Sequence, residues 1–486
     1  MKIYSILWMT FCLTALTSLD VCYAETADAA AERHRLVAER RQRTMIICHR
    51  GANEFAYDNT MEAYRATFTL GADGNEIDVR MTSDGVLVCF HDDMLDSILT
   101  AYGDVSDYTW EELQRIPFRN PGKFGAYARI PTLREVLELH RDQAGLVFLD
   151  IKRPGLGESI GVLLEELDMW DHVVSAPSQL QDSRIKYNTG STGLYLDHAE
   201  VFAGILKNTI SPNQPGQQYL VDDPRGLVTA FGRESQIPSD KPYKDKLSKW
   251  SQNPLPIKTL SDHSLEELLA KLRETTMVDQ TQKAPVEGTE ADQELQDRIT
   301  FRVQLIDELG RRGLRTAEVY SALEDCVRYR TLHPHWRYTG LDGITALRAL
   351  AELEAPRFVE LARFCLWRDD PQAADFQNPA YKNPRSWVDW RTKIPVFELL
   401  AAFPGEETEQ LCRDYLALSS AEAEQIGIDQ FESATRTLLT ISPNAATARE
   451  LMQHRLSAVR GRVVLFALAH PEKEWSDEIV QLAAGE

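Results

Sequence analysis

The chain has 486 residues, 43% of them hydrophobic, and a formal net charge of −21. That length exceeds one average domain and can build two cores, while 26% charged residues argue against wholesale disorder. The acidic balance speaks against nucleic acid and anionic membrane surfaces, which select a basic face, and is compatible with a divalent cation.

The N-terminus reads MKIYSILWMTFCLTALTSLDVCYAETADAA. Lys2 precedes a nearly uncharged apolar run from Ile3 to Leu19, and Val21-Cys22-Tyr23-Ala24 supplies small residues at cleavage spacing. Residues 1–24 are therefore expected to be a signal peptide, which implies a periplasmic or secreted product that is not an integral membrane protein once cleaved. The other reading is a membrane anchor, because the run approaches spanning length. Residues 25–43 read as a helical lead-in.

From 44 to 236 strand and helix patterns alternate. MIICHR is a strand, NTMEAYRATFTLGA a helix, and GNEIDVRM and GVLVCFHDD are strands. YTWEELQRI and TLREVLELHRD are helices, each opened by a threonine that can cap it. GLVFLDIKRP is a strand, GESIGVLLEELDMW a helix, and DHVVSAPS, TGLYLD and QQYLVDD are shorter strands. Such alternation predicts a parallel sheet covered by helices, and a closed barrel is one way to complete it. Residues 237–300 are proline-containing, polar and then acidic, and read as a linker or extension. From 301 to 486 the pattern is one of short amphipathic helices, expected as a HEAT-like array or a helical bundle. Of the seven cysteines, Cys12 and Cys22 fall in the leader. Cys48, Cys89, Cys326, Cys365 and Cys412 form an odd, sparse set that reads as buried apolar residues rather than a disulfide framework.

The strand ends carry the chemistry. MIIC stops at His49-Arg50-Gly51, the next strand contains Glu76-Ile77-Asp78, a third runs into His91-Asp92, and a later one contains Asp150-Ile151-Lys152. Strand side chains alternate, so Glu76 and Asp78 share a face, as do Asp150 and Lys152. In a barrel such positions converge on one mouth. Three carboxylates supply hard oxygen ligands for Ca²⁺ or Mg²⁺, Arg50 and Lys152 suit phosphate oxygens, and His49 and His91 suit proton transfer near neutral pH. Together they suit phosphoryl transfer. Asp58 and Asn59 read as helix-capping residues, and Asp92 as either a supporting or a turn residue. His333, His335 and Trp336 read as a loop, and Trp367, Trp387 and Trp390 as packing residues between helices.

The ordered string HRG…NT…GADGNEIDVRMTSDGVLVCFHDD, followed by GDVSDYTWEELQRI, RIPTLREVLEL and VFLDIK, resembles the glycerophosphodiester phosphodiesterase family. The resemblance covers residues 45–153. It implies a TIM-type (β/α)8 barrel over 44–236. It also implies His49 and His91 as an acid–base pair, Glu76, Asp78 and Asp150 as metal ligands, and Arg50 and Lys152 as phosphate-binding groups. The implied reaction is metal-dependent hydrolysis of glycerophosphodiesters, small-molecule substrates, to glycerol phosphate and an alcohol. The chain departs from the family pattern at Tyr57-Asp58-Asn59-Thr60, where the family has Pro-Glu-Asn-Thr, and at Asp150, where it usually has Glu. The related sphingomyelinase-D-type enzymes resemble this chain in using Asp there. One alternative is therefore a lipid phosphodiesterase of sphingomyelinase-D or phospholipase type. The other is an inactive barrel whose helical region binds a protein partner.

Overall fold

The computed structural model describes residues 25–92, 94–119, 128–177, 180, 194–195, 210–236, 238, 255, 259–275, 289–328, 341–367, 396–419 and 428–484. The expected leader (1–24) lies outside the described residues, as do His333, His335, Trp336, Trp387 and Trp390.

The lead-in is a helix, α1 (Ala27–Arg41), capped by Thr26. The strands that follow are β1 (Met45–Cys48), β2 (Gly74–Met81), β3 (Leu87–Cys89), β4 (Leu146–Ile151), β5 (Val173–Ser175), β6 (Leu194–Tyr195) and β7 (Gln218–Val221). Helices α2 (Met61–Thr69), α3 (Trp110–Leu113), α4 (Leu133–Asp142), α5 (Gly157–Glu166) and α6 (Arg225–Ala230) lie between and after them. The sheet order is β5-β4-β2-β1-β7-β6, and all these neighbours pair in parallel. β1 is thus flanked by β2 on one side and by the last described strand on the other. The strands follow chain order around an arc, as in a TIM-type barrel.

β3 corrects the expectation that every strand joins this ring. It pairs antiparallel with the end of β2, Val79 opposite Cys89, and stands off the main path. The connection explains this. Only five residues separate the two strands, too few for a parallel crossover, and Gly85 at φ 83° completes a tight turn. The hairpin still serves the mouth, because the Phe90 N–H donates to the Asp78 carbonyl (3.1 Å) and so places His91 beside it.

Burial alternates as the strand period requires. Met45 and Ile47 pack inward with Leu146, Val174 and Leu220, whereas Ile46 and Cys48 pack outward against Ala66, Leu70 and Leu227. Ile77, Val79, Leu149 and Ile151 likewise face the helical layer of Tyr64, Leu133, Leu137 and Ile160. Glu76, Asp78 and Asp150, one residue out of phase, therefore point into the barrel. Thr109 and Thr132 each close a capping box at α3 and α4, as the sequence predicts.

Beyond the barrel no strand occurs among the described residues. Helices α7 (Leu265–Glu274), α8 (Glu290–Arg311), α9 (Ala317–Arg328), α10 (Leu341–Glu352), α11 (Phe358–Trp367), α12 (Glu406–Leu416), α13 (Ile428–Ile441), α14 (Ala445–Met452), α15 (Ser457–Ala469) and α16 (Ser476–Ala484) share one continuous core. Part of the stretch 237–300, expected as a linker or extension, contributes to that core. α7 buries Leu268, Leu269 and Leu272 in that core, and α8 begins at Glu290. The apolar stripe of SLEELLAKLRE is short and set between polar, proline-containing stretches, so it reads as linker although its leucines fall on one helical face. The five described cysteines are all free and buried, as expected.

Candidate active site

The turn after β1 builds the first corner. The His49 N–H extends the ladder to the Val221 carbonyl (2.9 Å), and the chain then reverses through Arg50 (φ 59°) and Gly51 (φ 88°). A Cβ on Gly51 would stand 2.6 Å from the Cβ of Ala63, so only glycine lets this turn lie against α2. The reversal aims the Arg50 N–H at Glu76 Oε2 (2.9 Å). Its guanidinium reaches Asp78 Oδ2 and Asp58 Oδ2, both at 3.5 Å.

Glu76, Asp78 and Asp150 each offer an oxygen within 4.8 Å of the others. Glu76 and Asp78 are buried, while Asp150 is 44% exposed and opens the cluster to the mouth. The Lys152 ammonium bridges Asp78 Oδ1 (2.7 Å) and Asp150 Oδ2 (2.6 Å). Burial and the neighbouring Asp78 push the Glu76 carboxyl well above the usual carboxylate range. Burial would raise Asp78 too, but His91, Lys152 and Arg50 more than offset it and bring that carboxyl down to about 2. Burial lowers Lys152 less than Asp78 and Asp150 raise it, so it stays firmly charged. Three carboxyl groups thus share two fixed cations, and a divalent cation bound among them would take the place of the proton that burial and Asp78 keep on Glu76. A crowded, oxygen-only set of this kind fits a hard divalent cation.

Both histidines are held by carboxylates. His49 Nδ1 lies 3.0 Å from Asp222 Oδ1, and His91 Nδ1 lies 2.8 Å from Asp92 Oδ1. A proton on Nδ1 in each pair places the ring's lone pair on Nε2. The sequence-predicted residues thus gather on one mouth: Arg50 and Lys152 both touch Asp78, and Glu76, Asp78 and Asp150 cluster. Asp92 is a supporting residue.

Asn59 is not the helix cap. Thr60 caps α2 by accepting from the Ala63 N–H. Asn59, at φ 55°, donates from Nδ2 to Asp78 Oδ2 (2.7 Å) and accepts from the Tyr64 hydroxyl (2.7 Å). It fixes the face of Asp78 turned away from Lys152. Two contributors escaped the sequence reading, Asp222 and Asn53. Asn53 Nδ2 donates to Asp222 Oδ1 (2.9 Å) and to the His49 carbonyl (3.3 Å). The signal for Asp222 was the acidic end of QQYLVDD, which parallels that of CFHDD.

Residues 49–184 match the glycerophosphoryl diester phosphodiesterase family. Among curated relatives, the segment is 38% identical over 141 residues to a glycerophosphodiester phosphodiesterase of Caldanaerobacter subterraneus, covering 27% of this chain and 57% of the relative. It is 34% identical over 119 residues to the human glycerophosphodiester phosphodiesterase 1, covering 24% of this chain and 36% of the relative. The chain thus spans about half the length, or less, of the curated relatives it matches. Among solved structures, a glycerophosphodiester phosphodiesterase from Agrobacterium tumefaciens aligns at 20% identity and TM-score 0.31, over 38% of this chain and 99% of that one. A phosphodiesterase from Oleispira antarctica solved with sn-glycerol-3-phosphate aligns at 19% identity and TM-score 0.30, over 39% of this chain and 97% of that one.

Proposed function

We propose that the chain hydrolyses glycerophosphodiesters to glycerol phosphate and an alcohol, with a divalent cation, Ca²⁺ or Mg²⁺, held by Glu76, Asp78 and Asp150. The observation that carries this reading is the convergence of those three carboxylates with Arg50 and Lys152 beside two carboxylate-held histidines. The cation, when bound, supplies charge stabilisation at a phosphoryl oxygen. Arg50 and Lys152 orient the remaining phosphate oxygens. One of His49 and His91 takes the proton of the attacking hydroxyl, from water or from the substrate's neighbouring alcohol, at Nε2. The other gives a proton to the leaving alkoxide. Asp222 and Asp92 stabilise the imidazolium, which forms on the histidine acting as base and is present beforehand, with its proton on Nε2, on the one acting as acid.

Among the described residues the exposed large hydrophobics are Leu36, Val162 and Leu482, on α1, α5 and α16. None is on a mouth loop, so the described rim gives no support to a lipid substrate. The full set of polar groups speaks against an inactive barrel. The sequence of residues 1–24 supports a periplasmic or secreted product, which N-terminal sequencing of the mature chain tests. No described helix is long and apolar enough to cross a membrane.

The test is ³¹P NMR of glycerophosphoethanolamine and glycerophosphocholine incubated with the chain plus Ca²⁺, Mg²⁺ or EDTA. Glycerol phosphate should accumulate with one of the cations and not with EDTA. Intact diesters under every condition, with the protein folded, would remove the proposal.

A further inference from the structure

We propose that the helical region completes the catalytic corner: Glu54, gripped by Arg462 and Arg436, is a positioning residue that sets the loop carrying His49 and its contact with Asp222. The inference rests on the reading of His49 given above. Arg462 Nη2 donates to Glu54 Oε1 at 2.7 Å, and Arg436 Nη1 to Glu54 Oε2 at 3.4 Å. One carboxylate thus takes a guanidinium on each oxygen, from two helices, α15 and α13. The tighter pair is 7% and 15% exposed, so solvent screens it little.

The place of attachment distinguishes this pair from an ordinary docking contact. Glu54 stands in the loop that runs from His49 to Thr60. Its neighbour Asn53 bridges Asp222 and the His49 carbonyl. Its other neighbour, Phe55, lies with its ring 4.9 Å below the Arg225 guanidinium. Arg225 is ion-paired with Asp223, next to Asp222, and Arg225 Nη1 donates to the Leu465 carbonyl of α15 at 3.2 Å. Both halves of the His49–Asp222 pair therefore sit on loops tied to the same helix, one through Arg462 and one through Leu465. Slack in either tie changes the position of the carboxylate against the imidazole. A displacement of about 1 Å at such a contact is enough for a rate loss of roughly 10²-fold.

A second docking point provides an internal control. Asp307 of α8 accepts from the Tyr102 hydroxyl and from Arg119 Nη2, each at 2.8 Å. It joins the same two regions but touches none of the residues at the His49 corner.

The experiment compares full-length wild type, Glu54→Gln, Arg462→Gln, their double variant and Asp307→Asn. It measures the melting temperature, kcat and KM for glycerophosphoethanolamine below all the melting temperatures, and the chemical shift of the His49 Hε1 resonance. Glu54→Gln and Arg462→Gln should each lower kcat about 10- to 100-fold with KM little changed, and the double variant no further. Each should also move the His49 Hε1 resonance, because Asp222 stands differently against the ring. Asp307→Asn should lower the melting temperature and leave kcat and the His49 Hε1 resonance at wild-type values. A kcat and His49 Hε1 shift in Glu54→Gln and Arg462→Gln that match Asp307→Asn overturn the proposal. A wild type that cleaves no diester would instead strike the proposed reaction, and the His49 Hε1 resonance would still decide whether the helices position that residue.

Discussion

The two ends of the same strands use the same residue types to opposite effect. At the floor of the barrel Asp73, fully buried one residue before β2, receives Arg40, Arg43 and Arg233 together with the Ile46 N–H. At the mouth, three and five residues further on, Glu76 and Asp78 join Asp150 around Arg50 and Lys152. The histidines divide in the same way. His140 and His172 at the floor direct Nδ1 to backbone carbonyls, of Val136 and Gly145 at 2.7 Å each, and burial holds both down at about 4. His49 and His91 at the mouth face carboxylates instead. A buried carboxylate with a surplus of guanidiniums, or a neutral imidazole on a carbonyl, is a finished structural contact. Carboxyl groups that outnumber the cations beside them, next to imidazoles held by carboxylates, make a site suited to a ligand.

The sharpest way to break the comparison is at the histidines. His49→Ala and His91→Ala should each lower kcat by about 10²–10⁴-fold, with melting temperatures near wild type, measured by glycerol phosphate release. Equal activity would place the chemistry elsewhere. At the floor the effects should reverse. Asp73→Asn strands three guanidiniums and should cost about 3–5 kcal/mol in urea unfolding, while kcat of the folded protein is unchanged.

The floor also predicts a pH response. A histidine whose folded pKa is depressed stabilises the fold above its unfolded value and loses that contribution as pH falls. For His140, lowered from 6.5 to about 4 mainly by burial, the window runs between those two values, and the loss is up to about 3 kcal/mol. Urea unfolding at pH 7 and pH 5 should show the decline, and His140→Gln should reduce it. The smallest effect is expected at Asn59, which touches Asp78 but has no charge. Asn59→Ala should weaken cation binding by about 10- to 100-fold, read by calorimetry.

The sequence disclosed the mouth because strand parity is preserved in folding. A one-residue spacer in Glu76-Ile77-Asp78 and in Asp150-Ile151-Lys152 commits both polar members to one face, whatever closes the barrel. It also disclosed the capping threonines, whose hydrogen bonds span only three residues. It did not disclose Asp222 as the partner of His49, 173 positions away, nor the grip of Arg462 on Glu54, 408 positions away. Pairings at such distances leave no local period. Asn59 reads as a cap because Asn and Thr both favour that role, and only the left-handed turn at Asn59 sends its amide to Asp78. The antiparallel pairing of β3 is not legible in GVLVCFHDD, because a strand's pattern reports which residues are buried, not whether its partner runs parallel or antiparallel.

The most direct measurement is calorimetric titration of Ca²⁺ and of Mg²⁺ into EDTA-stripped, full-length protein. The account predicts one binding site in wild type and in Asp73→Asn, and none in the Glu76→Gln, Asp150→Asn double variant. No binding by folded wild type, or binding that survives in the double variant, would contradict it.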